Sequence, residues 1–202
     1  LTERGLSRGR CRRSFRSRVG FVFQDADIQC FSPTVRDELA FGPRQLGLED
    51  AEVDRRVRGA LETLRIESLA DRYPFRLSGG EKKRVAIASV LTVDPEVYLL
   101  DEPTANLDPS TEGILIDLLG RFLDEGKSLV IATQDLLLAR HIGERAVLLG
   151  PDRKIAADDG IEALLGRTDL LQRTGLAHSH RHPHRRAAAG YRHSHYTEEE
   201  PT

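Results

Sequence analysis

Residues 97–103 read VYLLDEP, so four apolar residues run straight into two adjacent carboxylates, Asp101 and Glu102. Like charges in contact disfavour each other's ionised form, and burial sharpens the penalty. A strand that ends at the surface with both acids solvated is one reading; a pair managed by a cation is the other. If VYLL is a strand of a parallel sheet, both acids stand at its carboxyl end, where open α/β sheets bind ligands. Gln24 closes the apolar run VGFVFQ and Gln134 follows SLVIAT, so both glutamines also stand at strand ends. Four polar side chains are thereby expected to point into one crevice. A hard cation such as Mg²⁺ takes carboxylate and water oxygens and brings phosphates with it. One acid then holds the metal's water while the other accepts a proton from an attacking water.

A second phosphate site is legible in LSGGEKKRVAIAS. Ser78, Gly79 and Gly80 lie at a helix start, where free N–H groups and the helix dipole favour an anion. A plain N-cap is the ordinary alternative for Ser78. The combination of LSGGEKKR with LLDEPTANLD just downstream is much more specific than either alone. Together with RVGFVFQDADIQCFSPTVRDELAFGP and VIATQD, these stretches resemble the ATP-binding subunit of an ABC transporter, in particular the energy-coupling-factor ATPases of cobalt and nickel uptake. The likeness covers roughly residues 18–176 in the right order.

That resemblance implies a role for each matching position. Gln24 would touch Mg²⁺ and the attacking water and couple to the membrane partner. Ser78, Gly79 and Gly80 would contact the γ-phosphate held by an opposite subunit. Asp101 would be the metal ligand, Glu102 the general base, and Asp108 in ANLD an aspartate that speaks across a dimer. ATP and Mg²⁺ are the implied substrate and cation. A second ATPase subunit, identical or different, and integral membrane components are the implied partners, placing the chain peripherally on the cytoplasmic side of a membrane. Two departures stand out. No G-x-x-x-x-G-K-[ST] loop is present; Gly126-Lys127-Ser128 has Arg121 where the first glycine belongs and runs helix to strand rather than strand to helix. In the family that loop, with the aromatic that stacks on adenine, lies several tens of residues before Gln24, which here means before Leu1. The position usually held by histidine is Gln134, for which an ordinary polar strand-end residue is the plain alternative.

These residues must be positioned by elements that the pattern also shows. Thr34 is a cap candidate for TVRDELAFG, broken at Pro43 and Gly47. Val53, Val57, Leu61 and Leu64 recur at helical spacing from about Asp50. Ser78 opens a helix ending before Asp94-Pro95, and Ile114, Leu115, Leu118, Leu119, Phe122 and Leu123 form the stripe of a helix starting near Pro109. SLVIAT at 128–133 reads as a strand, LLLARHI as a helix, and AVLLG at 146–150 as a strand. The expected fold is α/β, a mostly parallel sheet with helices on both faces, interrupted by a helical subdomain at about 36–92. By the resemblance it is an ABC ATPase core of the P-loop NTPase kind, lacking its phosphate loop, over residues 1–176.

Composition bounds what remains. With 202 residues, 39% hydrophobic and 31% charged, the chain can bury a sizeable core. A net charge of −2 gives no general attraction to nucleic acid, and none is expected as a partner. The arginines between Arg4 and Arg18 are expected to lie on a solvated loop. Cys11 and Cys30 form no ligand pattern and read as free thiols of a reducing compartment. No apolar run is long enough to cross a membrane, the start lacks the hydrophobic core of a signal peptide, and the absence of any methionine suggests a chain that begins partway through a longer protein. Residues 177–202 have no apolar periodicity and are expected to form a disordered tail. Its His178, His180, His182, His184, His193 and His195 include imidazoles at alternate positions, a pattern that suits Ni²⁺, Co²⁺ or Zn²⁺, with disordered polar filler as the plain alternative. The function expected is ATP hydrolysis energising import of a transition-metal ion. An ABC ATPase acting on nucleic acid or ribosomes, and a non-catalytic remnant, are the competing readings.

Overall fold

The computed structural model describes residues 9–177, 179–181 and 192–194. The chain divides after Thr133 into two compact units. The first is built on three parallel strands, β1 (Val19–Val22), β2 (Val97–Asp101) and β3 (Ser128–Ala132), in the order β1-β2-β3. Val22 pairs with Leu100, and Leu100 with Ile131. Between β1 and β2 the chain forms no strand; it makes helices α2 (Val35–Gln45), α3 (Asp50–Thr63) and α4 (Gly79–Leu91), with α1 (Gly9–Arg18) before β1 and α5 (Pro109–Asp124) before β3.

Alternation along the strands decides which residues enter the core. Val22, Tyr98 and Leu100 point to one face, where they pack with Ile87 and Val90 of α4 and Leu115, Leu118, Leu119 and Phe122 of α5. The Tyr98 ring stacks on Phe122 with centroids 4.4 Å apart. Gly20 alternates onto the same face, and a Cβ there would collide with Val90 Cγ1, so the position takes glycine. The other face presents apolar side chains instead: Phe21 is 42% and Val130 59% exposed.

Several helices follow from local chemistry. Ser78 caps α4 reciprocally with Glu81, each accepting a hydrogen bond from the other's backbone N–H. Pro109 sits at the first turn of α5, where its missing N–H costs nothing. Two expectations need correction. Pro43 does not end its helix: α2 runs on to Gln45, and the Leu39 carbonyl left without its normal donor accepts from Thr92 Oγ1 at 2.8 Å. The arginine-rich start is not wholly loop, since 9–18 forms α1; arginine is a good helix former, and Arg18 in the last turn pairs with Glu96 at 2.7 Å.

In the second unit, α6 (Leu136–Ile142) starts at Asp135, whose carboxylate accepts from the Leu137 and Leu138 amides. Strand β4 (Arg145–Leu149) was expected to extend the parallel sheet. It pairs antiparallel with β5 (Ile155–Gly160), because a five-residue connection permits a hairpin but not the long crossover that parallel strands need. The turn is closed by Gly150 N donating to Lys154 O at 2.8 Å, with Arg153 at φ +62°. Leu148 joins Ile161, Leu164 and Leu165 of α7 (Ile161–Leu165) and Leu170 and Leu171 of α8 (Thr168–Arg173) in one core. Within the stretch expected to be a disordered tail, β6 (Ser179–Arg181) pairs antiparallel with β7 (Arg192–Ser194), placing His180 opposite His193. His178, His182, His184 and His195 lie outside the described residues.

Candidate functional site

Parallel pairing of β1 and β2 brings their carboxyl ends side by side, and the candidate residues of the first unit emerge there. Asp101 is the last residue of β2 and half-buried. Glu102 follows it with φ +42°, a conformation unusual for a residue with a side chain; its amide donates to Ala132 O at 2.9 Å and holds the turn against the end of β3. The Glu102 carboxylate accepts from Thr133 Oγ1 at 3.1 Å. Gln24 lies two residues beyond β1 and is exposed.

Lys83 joins these strand ends. It projects from α4, is 2% exposed, and donates to the carbonyls of Phe23 and Gln24, both at 3.0 Å, and of Asp101 at 3.3 Å. Burial pushes its ammonium below the usual lysine range, while Asp101, Glu102 and Asp25 nearby pull it back up. Its type and place carried a signal: Lys83, Ile87 and Val90 share one helical face, so the lysine had to enter the core.

At the amino end of α4, Ser78 and Gly79 are exposed. The first amides of a helix have no acceptor within it, so they are available to an anion. Gly80 has a local reason to be glycine, since a Cβ would lie 3.0 Å from Asn106 O. At Gly79, among the described residues, a Cβ meets nothing within 4 Å. The same contact brings the segment after Glu102 against the start of α4. Asp108 ends that segment as the cap of α5, accepting from the Ser110 and Thr111 amides at 3.1 Å and from Thr111 Oγ1 at 2.6 Å. The Thr111 hydroxyl above all holds its carboxyl below the ordinary range. Gln134 is exposed and is the first residue of the second unit.

Asp101 and Glu102 offer carboxylate oxygens and Gln24 an amide oxygen, donors of the hard kind. No group of three or more possible metal-binding His, Cys, Asp or Glu is found among the described residues. Cys30 is a buried free thiol, pushed up to about 12 chiefly by burial. Among the described residues no helix is long and apolar enough to cross a membrane.

The ABC transporter family profile matches residues 2–105. The nickel import ATP-binding protein NikO of Rhodobacter capsulatus is 48% identical over 166 residues, covering 81% of this chain and 65% of that protein. A subunit of the CbiONQ transporter complex from Clostridium perfringens superposes with a TM-score of 0.66 at 32% identity, over 84% of this chain and 67% of that one. A dimeric ATP-binding cassette in a post-hydrolysis state with ADP and phosphate superposes with a TM-score of 0.67 at 27% identity, over 80% and 68%. The chain spans 62% and 65% of the length of two curated relatives at 49% and 48% identity.

Proposed function

The chain belongs to the ABC transporter family of ATP-binding proteins, and we propose that it is the catalytic part of a subunit that hydrolyses ATP to energise import of a transition-metal ion, nickel or cobalt. The observation that carries the hydrolytic reading is the placing of two carboxylates and a glutamine at adjoining strand ends in the first unit, with helix amides at the start of α4 beside the same segment. Nickel enters through the likeness to NikO, and cobalt only through the resemblance to the energy-coupling-factor ATPases.

In this reading Asp101 holds the cation, and Mg²⁺ when bound neutralises charge on the phosphates. Glu102 accepts the proton of the attacking water, its carboxylate kept in place by Thr133. Gln24 positions that water and reports to the membrane partner. Gln134 is assigned to the γ-phosphate. The amides of Ser78, Gly79 and Gly80 donate to the γ-phosphate carried by a second ATPase subunit, identical or different. Asp108 acts in the same dimer contact by fixing the start of α5. The subunit is assigned to the cytoplasmic side of a membrane, docked on integral components, with residues 1–176 as the ATPase domain and the histidines of 177–202 gathering the metal ion.

The test is turnover in a protein that carries this chain behind a phosphate loop. Glu102→Gln should lower it by ~10²-fold or more, the low end for a lost general base, and favour an ATP-bound dimer. Full activity of Glu102→Gln would overturn the assignment. Removing 177–202 should abolish nickel or cobalt retention and leave hydrolysis unchanged.

A further inference from the structure

Lys83 has no part in the chemistry assigned above, yet its side chain reaches both strand ends. An ammonium carries three donors, and here each meets one acceptor: Phe23 O, Gln24 O and Asp101 O. The lysine that makes these bonds is only 2% exposed. The first two carbonyls belong to the segment that presents Gln24, the third to the residue that begins the acidic pair.

Other bonds tie α4 to the segment after β1. Lys82 pairs with Asp27 at 2.5 Å, and Gln29 Nε2 donates to Ala86 O at 2.8 Å while its Oε1 accepts from Phe23 N at 3.1 Å. None of these touches β2. Lys83 therefore sets the separation of the Gln24 backbone from the Asp101 backbone and fixes both to the helix whose first residues are Gly79 and Gly80.

We infer that Lys83 is a positioning residue: its three-carbonyl latch makes α4, the Gln24 segment and the Asp101–Glu102 turn move as one body, so that a phosphate engaged at the start of α4 meets a correctly spaced glutamine and acidic pair. The inference rests on the ATPase reading for its consequence, though not for the latch itself. The geometry also limits what can replace the lysine. Arginine keeps the charge, but its planar fork spreads its donors instead of aiming them from one atom at three converging carbonyls. Methionine fills the space and offers the three carbonyls no donor.

Two measurements on the protein carrying this chain behind a phosphate loop decide the matter. In hydrogen–deuterium exchange, Lys83→Met should speed exchange of peptides covering 23–30 and 101–106 by about tenfold and leave those of α3 unchanged. Unchanged exchange in the two segments, or faster exchange in α3 as well, would overturn the latch. In steady-state hydrolysis Lys83→Met should lower kcat by on the order of tenfold or more with little change in KM for MgATP, and Lys83→Arg should recover only part. In a Gln24→Ala background Lys83→Met should cost less than it does alone, since its effect runs partly through Gln24; a fully multiplicative loss would mark a merely structural residue. Should Lys83→Met fail to fold, Lys83→Gln, which keeps a donor, takes its place with the same expectations. If the unsubstituted protein hydrolyses no ATP, the ATPase reading fails and the exchange data alone uphold or overturn the latch. If it hydrolyses ATP and Glu102→Gln abolishes this while Lys83→Met exchanges normally, the latch fails and the ATPase reading stands.

Discussion

Pro43 has no N–H to give the Leu39 carbonyl, and the Thr92 hydroxyl, 49 residues further on by numbering, stands 2.8 Å from it and shares its one proton between that carbonyl and Ser89 O, also at 2.8 Å. The carbonyl is buried, so its loss of a partner is costly. Thr92→Val keeps the shape and removes the donor, and should destabilise the protein by about 1–3 kcal/mol in urea unfolding, the usual cost of an unsatisfied buried polar group. In a Pro43→Ala background the restored backbone N–H at position 43 serves the same carbonyl, and Thr92→Val should cost clearly less; equal costs in the two backgrounds would show that the carbonyl is not the point of coupling. At Gln134 the issue is charge. A histidine there could give the γ-phosphate a charge-assisted hydrogen bond, roughly twice as strong as a neutral one, whereas a glutamine amide cannot become cationic. Gln134→His should therefore raise turnover about tenfold, on the order of 1.4 kcal/mol. Unchanged or lower turnover would place Gln134 away from the phosphate, or mean that a second subunit already supplies the missing cation.

At the scale of elements, α5 depends on Asp108 being ionised. Its hydrogen bonds from Thr111 and Ser110 hold its folded pKa below the ordinary carboxylate value. A lowered carboxyl contributes stability above its unfolded pKa, about 4 for aspartate. That contribution is lost as pH falls through the lower folded value. Asp108→Asn keeps an acceptor for the cap without titrating, so its stability should fall off less steeply than the parent's below about pH 4; parallel acid profiles would remove Asp108 from this role. Caps of this kind were legible from sequence because they are local: Ser78 with Glu81, and Pro109 opening a stripe of Leu115, Leu118, Leu119 and Phe122. The strand-end acids and Gln24 were legible for a similar reason, as polar residues closing apolar runs. What escaped was set by distance or by polarity. The continuation of α2 through Pro43 needs a donor from the far end of α4, and the latch of Lys83 needs three carbonyls, two from the segment after β1 and one from the end of β2. Strand β5, IAADDG, has little apolar signal, so the hairpin that turns AVLLG antiparallel could not be read from periodicity.

At the scale of the whole molecule, the sheet of the first unit raises a question of solubility. All-parallel sheets are buried on both faces because their crossovers lay helices on each side. Here α4 and α5 cover one face, while Phe21 and Val130 lie open on the other, with the Phe21 and Phe23 rings 4.5 Å apart. A net charge of −2 gives weak protection against self-association. The 202-residue chain by itself should therefore bind a hydrophobic dye such as ANS and self-associate in concentration-dependent sedimentation. Phe21→Thr with Val130→Thr keeps residues that suit strands and should reduce both effects, while the urea midpoint moves by no more than about 0.5 kcal/mol equivalent, as expected for exposed positions. A protein that carries further sequence before Leu1, including a phosphate loop and its helix, should show the same reduction without any substitution, because that segment would lie over Phe21 and Val130. If the double substitution leaves dye binding and sedimentation unchanged, the sheet face is not the adhesive surface. If it reduces them and the added segment does not, the segment packs elsewhere and the open face belongs to another partner.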